Sequence, residues 1–211
     1  MPEQNKKKVI AAFDFDGTLT TRDSLLQFLF YTSGTQRTLF AILKSSLTLL
    51  GTCLGLASRQ EAKEALIASL YKGIYKKDLL SLGEAFASTQ LNQILRPIMI
   101  QRLKWHQEQG HTCILVSANL DVYLNAWSEQ NGFSATICSR LATDHEGRIT
   151  GKLDSPNCWG PEKKRRLFEW LSDIPRDSYI LYAYGDSRGD QELLSSADFA
   201  LTPTCISQNP S

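Results

Sequence analysis

At 211 residues and 42% hydrophobic, the chain is long enough to bury one good core and a smaller subdomain. Lys and Arg number 23 against 22 Asp and Glu, and a formal charge of +1 argues against nucleic acid as a partner and against an anionic membrane as the main one. Five cysteines with no CxxC pair, and three histidines (His106, His111, His145) without zinc-ligand spacing, predict a reduced, cytoplasmic protein with no zinc site.

Lys6-Lys7-Lys8 reads as a solvated tail, and the polar start before Val9 predicts no secretory signal. Val9–Phe13 is the first expected strand, and it runs into Phe13-Asp14-Phe15-Asp16-Gly17-Thr18-Leu19-Thr20-Thr21-Arg22. Residues i and i+2 of a strand share a side, so Asp14 and Asp16 can converge on one small volume. Two carboxylates that close raise a pKa unless a cation or a shared proton intervenes. Such a pair is costly as structure and useful for metal-assisted phosphoryl transfer.

From Asp23 to Leu95 no convincing strand occurs. The pattern predicts helices over Ser24–Tyr31, Thr38–Leu50, Arg59–Leu70 and Lys77–Gln90, a helical cap (residues 23–95) inserted into a core made of 1–22 and 96–211. Within it, Leu39 to Ala57 carries nine large apolar residues and only Lys44 as a charge. A spanning helix needs about 20 predominantly apolar residues, and Ser45, Ser46, Thr48, Gly51 and Thr52 dilute this one. It reads as two cap helices packed on each other, as a surface in peripheral contact with lipid or a greasy substrate, or, last of the three, as a true membrane span.

Beyond the cap, strands are expected at Thr112–Val116, Thr136–Cys138 and Tyr179–Tyr184. Helices are expected after Arg96-Pro97, over Leu120–Asn131 and over Glu162–Leu171, with a surface β-hairpin over Leu141–Leu153. Strands alternating with helices predict an α/β fold with a Rossmann-like open parallel sheet, whose ligands bind beyond the carboxyl ends of the strands. Ser117 ends the second strand, where its hydroxyl and the N–H groups of Ala118 and Asn119 can hold a phosphoryl oxygen; a plain helix cap is the alternative. Lys163, or its neighbour Lys164, supplies positive charge, although Lys164, Arg165 and Arg166 also fit a solvated face. Tyr184-Gly185-Asp186-Ser187-Arg188-Gly189-Asp190 follows the last strand, with Asp186 and Asp190 able to face inward across one turn. Four carboxylates at one sheet edge call for a hard cation, and Mg²⁺ suits oxygen ligands.

The order DFDGTLT, then Val116-Ser117-Ala118-Asn119, then Lys163, then GDSRGD resembles the haloacid dehalogenase superfamily, and within it the phosphoserine-phosphatase-like branch. The resemblance implies that Asp14 is the nucleophile, forming an aspartyl-phosphate, and that Asp16 is the general acid and base. It implies Mg²⁺ held by Asp14, the backbone carbonyl of Asp16 and Asp186, with Asp190 orienting the site from behind or through a water. Ser117 and Lys163 would hold the phosphoryl group. The acid at Asp16 separates phosphate-ester chemistry from dehalogenation, which needs no proton for its leaving group. Relatives carry Asn where this chain has Gly189, and a Glu for an amino-acid substrate where Asp23 is nearest; Arg59 is available for a substrate carboxylate. The expected activity is hydrolysis of a small or lipid-like phosphate monoester. A phosphotransferase or mutase using the same aspartyl-phosphate is the alternative, and a catalytically idle binding module a further one.

Overall fold

The computed structural model describes residues 7–46, 51 and 58–208. Seven strands occur among them: β1 (Lys8–Phe13), β2 (Thr112–Leu120), β3 (Ala135–Ser139), β4 (Leu141–Thr143), β5 (Ile149–Leu153), β6 (Tyr179–Tyr184) and β7 (Phe199–Leu201). Five make the central sheet in the order β3-β2-β1-β6-β7, every neighbouring pair parallel, so the expected open α/β sheet is found. Period-two alternation accounts for its burial on both faces. Ala11, Phe13, Cys113 and Leu115 enter one apolar cluster, while Ile10, Ala12, Ile114 and Val116 enter another on the opposite side.

Several boundaries differ from expectation. β2 continues past Val116 to Leu120 through an irregularity: Ser117 pairs with Cys138 and Leu120 with the adjacent Ser139, leaving Ala118 and Asn119 as extra residues. Ser117 is therefore inside a bulged strand rather than capping a helix, and the next helix is Asp121–Gln130. The short edge strand β7 escaped the sequence pattern because its three residues carry no alternation to detect. The hairpin β4–β5 forms as expected, but Leu141, Ile149 and Leu153 are buried, so only one of its sides faces water.

Helices Ser24–Lys44, Arg59–Tyr71 and Lys76–Thr89 fill the stretch between β1 and the helix Pro97–Glu108. Gly34, at φ 74° and ψ 166°, breaks the first of them into two pieces. The remainder of the expected helix, Leu47–Leu50, lies outside the described residues, as does most of the apolar stretch beyond Ser46. The chain enters and leaves this helical stretch side by side: Thr21 N–H donates to the Ile94 carbonyl at 2.8 Å and Arg96 N–H to that of Leu19 at 2.7 Å. Phe28, Ile67, Tyr71 and Phe86 join Phe13, Tyr123 and Trp127 in one continuous apolar cluster. The helices are thereby packed onto the sheet's covering layer, where Leu25, Ala62 and Leu66 wall the space over the strand ends.

Candidate active site

Register brings the acids together. Phe13 lies opposite Leu115 on one side and Tyr184 on the other, and the Asp14 N–H donates to the Tyr184 carbonyl at 2.9 Å. Asp14 thus leaves the sheet beside the turn that carries Asp186. One carboxylate oxygen from each of Asp14, Asp186 and Asp190 lies within 4.8 Å of the others. The loop between β1 and the first helix makes this approach possible at Gly17, whose φ is 80°: a Cβ there would stand 2.3 Å from Asp186 Oδ2.

Lys163 anchors the cluster. It occupies the first turn of the helix Pro161–Trp170, where helical spacing sends its side chain inward and leaves Lys164 exposed. Its Nζ donates to Asp14 Oδ1 and, at 2.6 Å, to Asp190 Oδ1. The second oxygen of Asp190 accepts from the Ser187 N–H at 3.0 Å and its hydroxyl at 2.6 Å. Asp190 is fully buried and spends both oxygens on holding the lysine and the turn. Arg165 and Arg166 pair with Glu162 and Lys164 is exposed, so Lys163 is the member of the basic run that enters the cluster.

Burial works against the Lys163 ammonium, but Asp14 and Asp190 outweigh it and hold its pKa above the usual lysine value. Burial pushes Asp14 up to about 6, with Lys163 pulling the other way. Asp16 is pushed up to about 7 by burial, and next by the Asp23 charge, against hydrogen bonds from Ser24. A carboxyl poised there can both give and take a proton near neutrality. The donor set also fits a hard divalent cation: three carboxylates converge, every ligand atom is oxygen, and the single ammonium leaves surplus negative charge.

Asp14, Asp16, Ser117, Ala118, Asn119 and Lys163 all line one cavity of about 620 Å³, and Ser187 joins them from the Asp186 turn. Ser117 Oγ accepts from the Asn119 N–H at 3.1 Å. That N–H is therefore engaged within the bulge, which corrects the expectation that it is free for a phosphoryl oxygen. The Asn119 side chain instead donates to Asp16 Oδ2.

Lys63 and Trp159 line the cavity without a sequence signal to single them out, whereas Arg59 was named as available for a substrate carboxylate. Lys63 reaches in from the helix Arg59–Tyr71 and donates to the Ala118 carbonyl at 2.6 Å and to Asn157 Oδ1 at 2.8 Å; burial pulls its pKa down to about 8. The Arg59 guanidinium lies 4.8 Å from the Trp159 ring centre. Trp159 also explains Gly189: a Cβ at that position would come within 2.3 Å of the indole nitrogen. The indole fills the space a side chain at 189 would need. An i, i+4 reading from Arg59 toward the same helix face could have flagged Lys63 beside it.

The family model for haloacid dehalogenase-like hydrolases matches residues 11–195. The protein CicA of Caulobacter vibrioides is 32% identical over 196 residues, covering 93% of this chain and 86% of its own. A Bordetella pertussis Tohama I protein of unknown function superposes with a TM-score of 0.77 at 21% identity, over 93% of this chain and 89% of that one. A phosphoserine phosphatase captured as an analogue of its phospho-aspartyl intermediate gives a TM-score of 0.62 at 17% identity, over 93% and 86%. Matched along most of its length, this chain belongs to the haloacid dehalogenase-like hydrolases and has the phosphoserine-phosphatase-like form of their fold.

Proposed function

We propose that the protein is a Mg²⁺-dependent phosphatase that hydrolyses a phosphate monoester through an aspartyl-phosphate on Asp14. The observation that carries this reading is the end of β1: Asp14 opens into the cavity with Lys163 on one oxygen and Asp186 and Asp190 beside it. Asp14 attacks phosphorus, the ester P–O bond breaks, and the proton of Asp16 passes to the departing oxygen. Asp16 then takes a proton from water, whose oxygen attacks the phosphoryl group and frees Asp14. Lys163 and the Ser117 hydroxyl hold the phosphoryl oxygens throughout. Asp14, the Asp16 carbonyl and Asp186 would hold the cation, which when bound offsets phosphate and carboxylate charge, with Asp190 fixing Lys163 behind them.

Residues 23–95 act in this reading as the cap that selects the substrate. Arg59 makes no ion pair among the described residues and faces the cavity beside apolar Leu25 and Leu66. A small organophosphate with an apolar body and a second anionic group fits such a wall. Steady-state release of phosphate from phenyl phosphate should vanish in Asp14→Asn and on addition of EDTA; unchanged turnover in either case sinks the proposal. Phosphorylated alcohol in place of free phosphate, when alcohols are added, would turn the reading toward a phosphotransferase.

A lipid phosphate is the second reading, and it rests on the cap's outer surface. Leu39, Phe40 and Leu43 are 53%, 66% and 69% exposed, with Arg37 and Lys44 close by. No acidic residue occurs from Ser24 to Gln60. No described helix is long and apolar enough to cross a membrane, and the contact in this reading is peripheral. Flotation with anionic vesicles should carry the protein upward and fail for Phe40→Glu; no flotation of the wild type removes this reading. Cys113, Cys138, Cys158 and Cys205 are free thiols, which fits a reducing, cytoplasmic setting; Cys53 lies outside the described residues.

A further inference from the structure

We propose that Asn119 is a positioning residue for Asp16, holding the general acid by a clasp between the β2 bulge and the first cap helix. This rests on the phosphatase reading and adds a residue to it. The bulge is the first observation. Ser117 and Leu120 pair with adjacent residues of β3, so Ala118 and Asn119 are the inserted pair. Bulges beside a site re-aim a side chain that regular pleating would send elsewhere. Here the re-aimed group is a buried amide.

The amide's two donors are both used. Asn119 Nδ2 donates to Asp16 Oδ2 and, at 3.0 Å, to the Ser24 hydroxyl, which is 3.1 Å from the Tyr123 hydroxyl. The amide turns its NH₂ toward Asp16, whose Oδ2 can accept from it whether or not Oδ1 carries the acid proton. Ser24 completes the hold from the other side, its N–H lying 3.1 Å from both Asp16 oxygens. The carboxyl is thus gripped by the amide from the core and by the opening turn of the helix Ser24–Lys44. Without the amide, Asp16 keeps the Ser24 N–H and, at 3.4 Å on Oδ1, the Thr20 hydroxyl, but Oδ2 loses the side-chain donor that fixes it. A general acid must sit within hydrogen-bond reach of the departing oxygen, and a small misplacement costs most where that proton is most needed.

The test compares two leaving groups in Asn119→Ala. Phenyl phosphate needs its leaving oxygen protonated, whereas the dinitrophenolate of 2,4-dinitrophenyl phosphate departs as an anion. The quantity read is kcat/KM, which covers only the steps through phosphorylation of Asp14. Loss of the clasp should lower kcat/KM for phenyl phosphate about 10²-fold and that for the dinitrophenyl ester less than about 3-fold. Ser24→Ala removes the buried hydroxyl that holds Asn119 and Tyr123 while keeping the Ser24 N–H on Asp16, and should show the same discrimination to a smaller degree. An equal loss on both esters, or none, in variants whose melting matches the wild type overturns the role of Asn119. If Asn119→Ala does not fold, Ser24→Ala decides alone, and equal effects on both esters overturn the proposal. A wild type inactive on both esters brings down the phosphatase reading itself.

Discussion

The cavity has two walls built on opposite electrostatic plans. On the strand-end floor every cation is committed: Lys163 is buried and shared between Asp14 and Asp190, and Asp190 has no oxygen left over. On the helical wall the cations are lightly held. Arg59 rests on the Trp159 face, and Lys63 donates only to neutral oxygens of Ala118 and Asn157. A floor whose charges are mutually fixed is preorganised for one reaction. A wall with unspent charge is free to read what is attached to the phosphate.

The largest effects should come from the floor. On the proposed mechanism Asp14→Asn removes the attacking oxygen while keeping the side chain's shape, and should cut phosphatase turnover at least about 10³-fold with little change in melting temperature. Lys163→Met strikes both chemistry and fold. It should lower kcat about 10²-fold and cost about 3 kcal/mol in urea unfolding, because two buried carboxylates lose their partner. Mg²⁺ should restore part of that stability.

Gly189→Ala tests where floor and wall meet at Trp159. The added methyl has no room, so a loss of about 1–3 kcal/mol is expected, and an unchanged melting curve would show that the indole gives way freely. Arg59→Ala probes the wall alone: KM for an anionic organophosphate should rise about 10-fold with kcat preserved, the signature of lost uniform binding. An equal fall in kcat would mean that the wall takes part in the chemistry.

The smallest effect concerns acidity. Asp16 is pushed up to about 7, so the native state keeps a proton that the unfolded chain surrenders at lower pH. Asp14, pushed up to about 6, adds to this with the same sign. Between these pKa values and the ordinary carboxylate range the folded form binds more protons, and stability falls as pH rises through that window. The metal-free protein should therefore melt a few degrees higher at about pH 5.5 than at about pH 7. A melting temperature that rises over that range contradicts the assigned shift.

Much of the floor was legible in the chain because its signals are local. An acid two residues from another at a strand end, a Gly-Asp turn after a second apolar run and a lysine just inside a helix each show in a few consecutive residues. The wall was legible only in part: Arg59 was available as a candidate, but Lys63 looks like part of an ordinary charged helix face, and nothing near Ser58 announces that the helix overhangs Ala118. Asn119 was assigned to the site for its backbone N–H, yet the bulge spends that group on Ser117 and turns the side chain to Asp16. Gly189, read as a missing ligand, is a packing necessity imposed by an indole 30 positions earlier.

By itself, the sequence determined the chemical types and the periodicity: alternating apolar strands, helical spacing between them, and acids at their carboxyl ends. Those follow from backbone geometry that each segment obeys alone. Tertiary structure alone decided which acids meet, which lysine lies between them and which glycine has no space. Distances between groups a hundred or more residues apart depend on strand register and helix packing, and no single segment encodes those.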